Sequence, residues 1–245
     1  MNIFTRVSVR TLSQTSRTTS VLSNTILTRE RSLTPEFALH LLTPDTDLWW
    51  QDPATSLVPF PDPYWAIYWP GGQVMTRFVL DHPAWISGRR VLDLGCGCGA
   101  TSMACVKSGA MSVCANDIDP WALAATALNF KANSVSDDIV HYCSDDFLAH
   151  QSLSTLLRNY QVILVGDMYF DQDLGSQISN LTTDFVAESP EGVALVSDPG
   201  RWYLMDPTHR TRAQLNCVAQ YHLPGEVRQD HPGLITGSVY QVMEK

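Results

Sequence analysis

From residue 89 onward the chain alternates short apolar runs with longer stretches of mixed polarity. Residues 90–94, 112–116, 139–143 and 161–166 read as strands, and the last is wholly apolar, as a strand covered on both faces must be. Between them, 100–108, 120 to about 133, and 152–159 read as helices. Gly109 ends the first; Asp119 caps the second, with Pro120 at its first position. The pattern continues with a helix over 172–188, a strand over 193–197, a helix over 208–218 and strands near 219–222 and 237–242. Such alternation predicts an α/β domain: a mostly parallel, Rossmann-like sheet with helices on both faces. Ligands of such sheets sit beyond the carboxyl ends of the strands.

The first third is less regular. Residues 33–47 are expected to contain a short helix started by Thr34-Pro35-Glu36. Residues 49–63, rich in Pro, Asp and Trp, read as an ordered crossing loop, and 72–80 as a helix closed near His82-Pro83. The division expected is therefore a leader over 1–31, a helical and loop extension over 32–88 packing on the ligand site, and the α/β domain over 89–245.

Charge sharpens this division. The 245 residues carry a formal charge of −9. Residues 1–29 contain Arg6, Arg10, Arg17 and Arg29 and no acid, so the remainder carries −9 − 4 = −13. That body lacks the basic surface nucleic-acid binding requires, and suits a basic protein partner better. The first 29 residues also hold twelve Ser or Thr, and Arg6, Arg10 and Arg17 share one face of a helical wheel. Arg-rich, Ser-rich and acid-free is the composition of a mitochondrial transit peptide, expected to be disordered, and a plain disordered tail has a similar composition. The first reading is favoured, since plain tails do not avoid acids so completely; it places the protein in the matrix with its leader removed somewhere near residues 20–32. No run is long and apolar enough for a membrane span. Five of the six cysteines fall in apolar patterns and read as reduced, buried thiols. Cys96-x-Cys98 has no second Cys or His pair at zinc spacing, so no metal is expected.

Candidate chemistry gathers at "VLDLGCGCGATS", residues 91–102. Gly95-x-Gly97-x-x-Ala100 satisfies a dinucleotide fingerprint. However, Asp93 before the first glycine would repel a pyrophosphate and suits a ligand with a cationic end. Gly99 adds a third alternating glycine. The next strand ends at Asp117, placed to accept both hydroxyls of a ribose. Asp145 and Asp146 follow the third strand, where an adenine contact and a solvated acidic turn are both open.

The D-x-G-x-G-x-G turn resembles motif I of the S-adenosylmethionine-dependent methyltransferases. Asp167-Met168-Tyr169-Phe170, after the fourth strand, resembles the D-x-x-Y/F element of the seven-strand protein-lysine methyltransferases. With "SLTPEFALHLLTP", "DPYWAIYWPGGQ", "ANDIDP", "GDMYFDQDL" and "SDPGR", the chain resembles the mitochondrial branch of that family that modifies the electron transfer flavoprotein β subunit. The resemblance implies a seven-strand sheet with an antiparallel last strand and S-adenosylmethionine as cofactor. It implies a turn of Gly95, Gly97 and Gly99, Asp93 near the amino-acid end of the cofactor, Asp117 on the ribose, Asp145 near the adenine and Trp69 packed against the cofactor. It implies an acceptor site with Asp167 as the catalytic residue and Tyr169 and Phe170 binding substrate, and an effect that dampens electron transfer from dehydrogenases. Asp167 could instead cap the following helix, and Trp69 could be a core aromatic. The pattern differs in one respect, Tyr169 and Phe170 standing where Phe then Tyr are expected. Three rivals share parts of this reading: a mitochondrial small-molecule methyltransferase, a non-catalytic S-adenosylmethionine-binding assembly factor, and a nicotinamide-dependent reductase.

Overall fold

A computed structural model describes residues 14–51, 60, 62–149, 153–205 and 214–243. Seven strands form one sheet: β3 (Arg90–Leu94), β4 (Ser112–Asn116), β5 (Val140–Cys143), β6 (Val162–Gly166), β7 (Val193–Asp198), β8 (Gln214–His222) and β9 (Thr236–Met243), in the order β5-β4-β3-β6-β7-β9-β8. The first five are parallel, and β9 runs antiparallel to both β7 and β8. The order reverses at β3, so the chain leaves β3 and β6 on either side of a crevice at their carboxyl ends, the position such sheets use for ligands. β6 is buried along its apolar run, as a strand with helices on both faces should be.

The helices are α1 (Gln14–Asn24), α2 (Pro70–Asp81), α3 (Ala100–Lys107), α4 (Pro120–Ala132), α5 (Leu153–Asn159), α6 (Gln172–Glu188), α7 (Trp202–Met205) and α8 (Gly225–Asp230). One apolar layer joins α2 and α3 to the sheet through Val74, Met75, Phe78, Met103 and Leu164. A second, on the opposite face, packs Leu156, Ile178 and Phe185 against Leu92, Ile163 and Val196. The α4 start is as expected: the Asp119 carboxylate accepts from the Trp121 N–H at 2.9 Å, with Pro120 in the first turn.

Two expected elements differ. The segment 33–47 carries no α-helix; Leu39–Leu41 is a short strand, β2, antiparallel to β1 (Ile26–Thr28). The Thr34-Pro35-Glu36 signal makes only a turn, closed by Phe37 N–H to the Thr34 carbonyl at 3.1 Å. What fixes the strand is α4: the Asn133 and Asn129 side-chain carbonyls accept from the Ala38 and His40 N–H groups. Likewise 214–218, expected as the end of a helix, belongs to β8, while 208–213 lie outside the described residues.

The N-terminal segment also differs from the disorder expected of it. Residues 14–24 form α1, which lies along α4 and buries Val21 completely in a small core with Phe60, Trp65 and Trp121. Residues 1–13 lie outside the described residues.

Candidate active site

A cavity of about 650 Å3 opens at the carboxyl ends of β3, β4 and β6. Its floor is the glycine turn. Gly95, Gly97 and Gly99 all hold positive φ, +71°, +51° and +79°. Beneath the turn α4 supplies the supports: Thr126 Oγ1 donates to the Gly97 carbonyl at 3.1 Å and Asn129 Nδ2 to the Cys98 carbonyl at 2.9 Å. A Cβ on Gly97 would meet nothing closer than 3.9 Å, because that face opens on the cavity; one on Gly99 would strike Thr126 at 2.4 Å. The glycines therefore serve two purposes: Gly97 leaves room for a ligand, and Gly99 allows α3 and α4 to close beneath it.

Asp117 stands on the cavity wall at the end of β4. Its Oδ2 accepts from the Gly97 N–H at 3.0 Å and its Oδ1 from the Asp119 N–H at 2.9 Å. Each oxygen keeps a free lone pair, so the carboxylate is aimed and fixed for two hydroxyl donors. Partial burial raises its pKa, against the two backbone N–H groups that favour its charged form. Asp146, Phe147, Leu148 and Ile118 complete the wall at this end, an apolar slot with an acidic rim.

The other end of the cavity is built on β6. At Asp167 the chain takes a left-handed conformation, φ +59°, while its N–H still donates to the Ser197 carbonyl at 2.9 Å. The carboxylate turns back across the sheet: Oδ2 accepts from the Gly71 N–H at 2.7 Å and Oδ1 from Arg201 Nε. Asp167 therefore caps α2 in trans; the helix that follows it, α6, has its own cap in Asp171. The close approach requires a glycine at 71, since a Cβ there would lie 2.7 Å from that of Asp167. The strained turn then sends Met168 over Gly95, Tyr169 into the core and Phe170 outward. Phe170 stacks on Tyr64 with centroids 6.3 Å apart and planes at 12°. Trp69 is fixed by its Nε1–H to the Tyr64 carbonyl at 2.9 Å, and the Arg201 guanidinium carbon lies 5.8 Å from its ring centroid.

Of the residues singled out in the sequence, Trp69, Gly95, Gly97, Asp117, Asp167 and Phe170 line this one cavity. Four do not. Asp93 is buried under the turn, where it accepts from Ser102 Oγ at 2.6 Å, and burial pushes its pKa to about 7. Gly99 acts beneath the turn. Asp145 is exposed, and its neighbour Asp146 takes the place on the wall. Tyr169 is fully buried with its hydroxyl 3.2 Å from Ser179 Oγ, so it supports α6 rather than meeting a substrate. Arg201, Tyr64 and Gln177 also reach the cavity; "SDPGR" carries the only one of these with a strong local signal, a turn in which Asp198 Oδ1 accepts from the Gly200 and Arg201 N–H groups. Five of the six cysteines are buried, and burial holds Cys98 and Cys114 near pKa 12, as inert thiols. The described residues hold no cluster of His, Cys, Asp and Glu fit for a metal, and no helix long and apolar enough to cross a membrane.

A sheet of this order, with a glycine turn and a carboxylate fixed beside it at the wall of a cavity of about 650 Å3, defines an S-adenosylmethionine-dependent methyltransferase. Residues 79–165 match the family model "Ribosomal protein L11 methyltransferase (PrmA)". Among solved structures, "a putative methyltransferase complexed with SAH" superposes with a TM-score of 0.52 at 15% identity, over 71% of this chain and 49% of that one. The chain spans about half the length of that structure, and the likeness concerns the fold. Sequence relatives narrow the class: the electron transfer flavoprotein beta subunit lysine methyltransferase of Mus musculus is 42% identical over 217 residues, 89% of this chain and 80% of the relative. The Caenorhabditis elegans homolog is 37% identical over 233 residues, 91% of this chain and 94% of the relative. The chain belongs to the electron transfer flavoprotein beta subunit lysine methyltransferase family.

Proposed function

We propose that this protein methylates lysine side chains of the electron transfer flavoprotein β subunit in the mitochondrial matrix, and that the modification dampens electron transfer from the dehydrogenases. The observation that carries the acceptor assignment is the pairing, at the open end of the cavity, of a buried carboxylate with three aromatic rings. Asp167 and Trp69, Tyr64 and Phe170 are the groups that attract and orient a lysine side chain, the rings by cation–π contact. The relatives' names support the substrate. The −13 charge of residues 30–245 supports a lysine-bearing partner, and the acid-free composition of residues 1–29 supports import.

The cofactor supplies an electrophilic methyl group on a sulfonium. The residues of the chain fit it: Asp117 would hold the ribose, the Gly95–Gly97 turn would receive the amino-acid moiety at close range, and the slot of Ile118, Phe147 and Leu148 would take the adenine. Asp93 would act from below, by keeping Ser102 and the first turn of α3 in place. Catalysis by the protein is then mainly positional. Trp69, Tyr64 and Phe170 enclose the aliphatic stem of the acceptor and exclude water, and Asp167 accepts an N–H of the amine so that its lone pair faces the glycine turn.

The test is transfer of labelled methyl groups to the flavoprotein β subunit in matrix extract, using wild type and Asp117→Ala. Label on lysines of that one protein, lost with Asp117→Ala, is expected. Label confined to small molecules would replace this reading with the metabolite methyltransferase.

A further inference from the structure

Methyl transfer needs a neutral amine, yet lysine ionises near pH 10.4 in water. A carboxylate beside it works in the wrong direction, because an opposite charge within about 4–6 Å favours the ammonium. Asp167 alone would bind the acceptor well and hold it in its unreactive form. This difficulty arises from the proposed function, and its resolution by Arg201 rests on that function.

The structure holds a counterweight. Arg201 Nε donates to Asp167 Oδ1, while the start of α2 donates to Oδ2 through Gly71. Arg201 is fixed at both ends: its backbone N–H is held by Asp198 Oδ1 at 2.5 Å, and its guanidinium lies against the Trp69 ring. Guanidinium does not titrate in the working range of an enzyme, so its charge is permanent. Ionised carboxylates have about four acceptor positions, and two are taken here, so Asp167 keeps the capacity to accept one N–H; its side chain is 1% exposed at the cavity wall, so an amine reaches it only by displacing the groups that cover it.

We propose that Arg201 is a positioning residue that neutralises Asp167, so that the acceptor lysine is held by hydrogen bonding without being held as an ammonium. On binding, one N–H bond of the ammonium breaks, the electron pair remains on nitrogen, and the proton passes through the open mouth to water and buffer.

Other charges face this point from every side. Asp198 of β7 lies beside Arg201, and burial raises its carboxyl to about 6, so it is ionised at pH 8. His231, after α8, packs on Trp69 with centroids 5.5 Å apart; burial lowers its pKa, which keeps it neutral there. Asp230 adjoins it and is paired with Arg31. Asp62 stands on the rim, and Asp117, Asp119 and Asp146 line the cofactor half. Nearly all are acids, and Arg201 is the only Lys or Arg on the cavity wall among the described residues. Without it the acceptor would meet uncompensated negative charge.

Arg201→Gln removes the charge and Arg201→Lys keeps it. The ascending limb of kcat against pH reports the acceptor in the bound complex. With the flavoprotein β subunit as substrate, that limb should move upward by about one pH unit or more in Arg201→Gln. Arg201→Lys should stay within about half a unit of wild type. A second readout needs no turnover. Calorimetry of the β subunit binding to enzyme loaded with S-adenosylhomocysteine, in two buffers of different ionisation enthalpy, should show about one proton released at pH 8 by wild type and far less by Arg201→Gln. Equal loss of rate at every pH, or equal proton release by the two proteins, would overturn the assignment of Arg201 and leave the function standing. A wild type that neither binds nor methylates the β subunit would overturn both.

Discussion

Gly99→Ala separates the two purposes of the glycine turn. The new methyl group would lie 2.4, 2.7 and 2.8 Å from Cγ2, Oγ1 and Cβ of Thr126, and the residue would keep φ +79°. The left-handed backbone costs about 1–2 kcal/mol with a Cβ, and overpacking a closed contact costs about 1–3 kcal/mol. The sum, about 2–5 kcal/mol, corresponds in a domain of this size to a fall in melting temperature of about 5–15 °C. Thr126 cannot retreat freely, because its hydroxyl holds the Gly97 carbonyl. Gly97→Ala is the control, since its methyl group points into the cavity with 3.9 Å of clearance. It should cost about 1–2 kcal/mol of stability but at least tenfold in affinity for S-adenosylhomocysteine. Thermal unfolding and calorimetric binding on both variants give the four numbers. If Gly99→Ala melted within 2 °C of wild type, or Gly97→Ala bound cofactor normally, the assignment of support to one glycine and access to the other would be wrong.

Asp93→Asn should stabilise the protein at pH 8 and have little effect near pH 4. The folded carboxyl titrates near 7 against 3.8 unfolded, so stability declines as pH rises between those values, by up to about 4 kcal/mol, and asparagine escapes the decline; chemical unfolding at the two pH values checks it. Phe170→Ala, which removes an exposed ring stacked on Tyr64, should raise KM for the protein acceptor about three- to tenfold with cofactor affinity unchanged, read by steady-state kinetics and calorimetry. Val21→Ala should cost about 2 kcal/mol of stability, measured by denaturant unfolding of the full chain; no change would show that α1 is not part of the core.

Strands whose apolar pattern is set by burial on both faces were legible to the residue, as at 90–94 and 112–116. The misread elements owe their state to a partner. Leu39-His40-Leu41 pairs with a segment that composition marks as leader, and its flank and centre donate to the side chains of Asn133 and Asn129, neither of which leaves a local trace. β8 lies at the sheet edge with a bulge between Cys217 and Ala219, and a bulge breaks the period-two alternation by which a strand is recognised. In the site, the glycines and Asp117 were legible because a turn and a strand end demand them. Tyr169 was not, since its direction follows from the strained backbone of Asp167 two residues earlier. Arg201 belongs to a turn motif whose reach back to β6 only the folded chain creates.

The burial of Val21 against Trp65 and Trp121 carries a consequence for the life history of the chain. Val21 backs Trp65, which stands on the cavity wall, so removing residues 14–24 would take that backing away. If the proposed import holds, the helix and the address share these residues, and an enzyme that keeps the helix has to be cut upstream of Gln14.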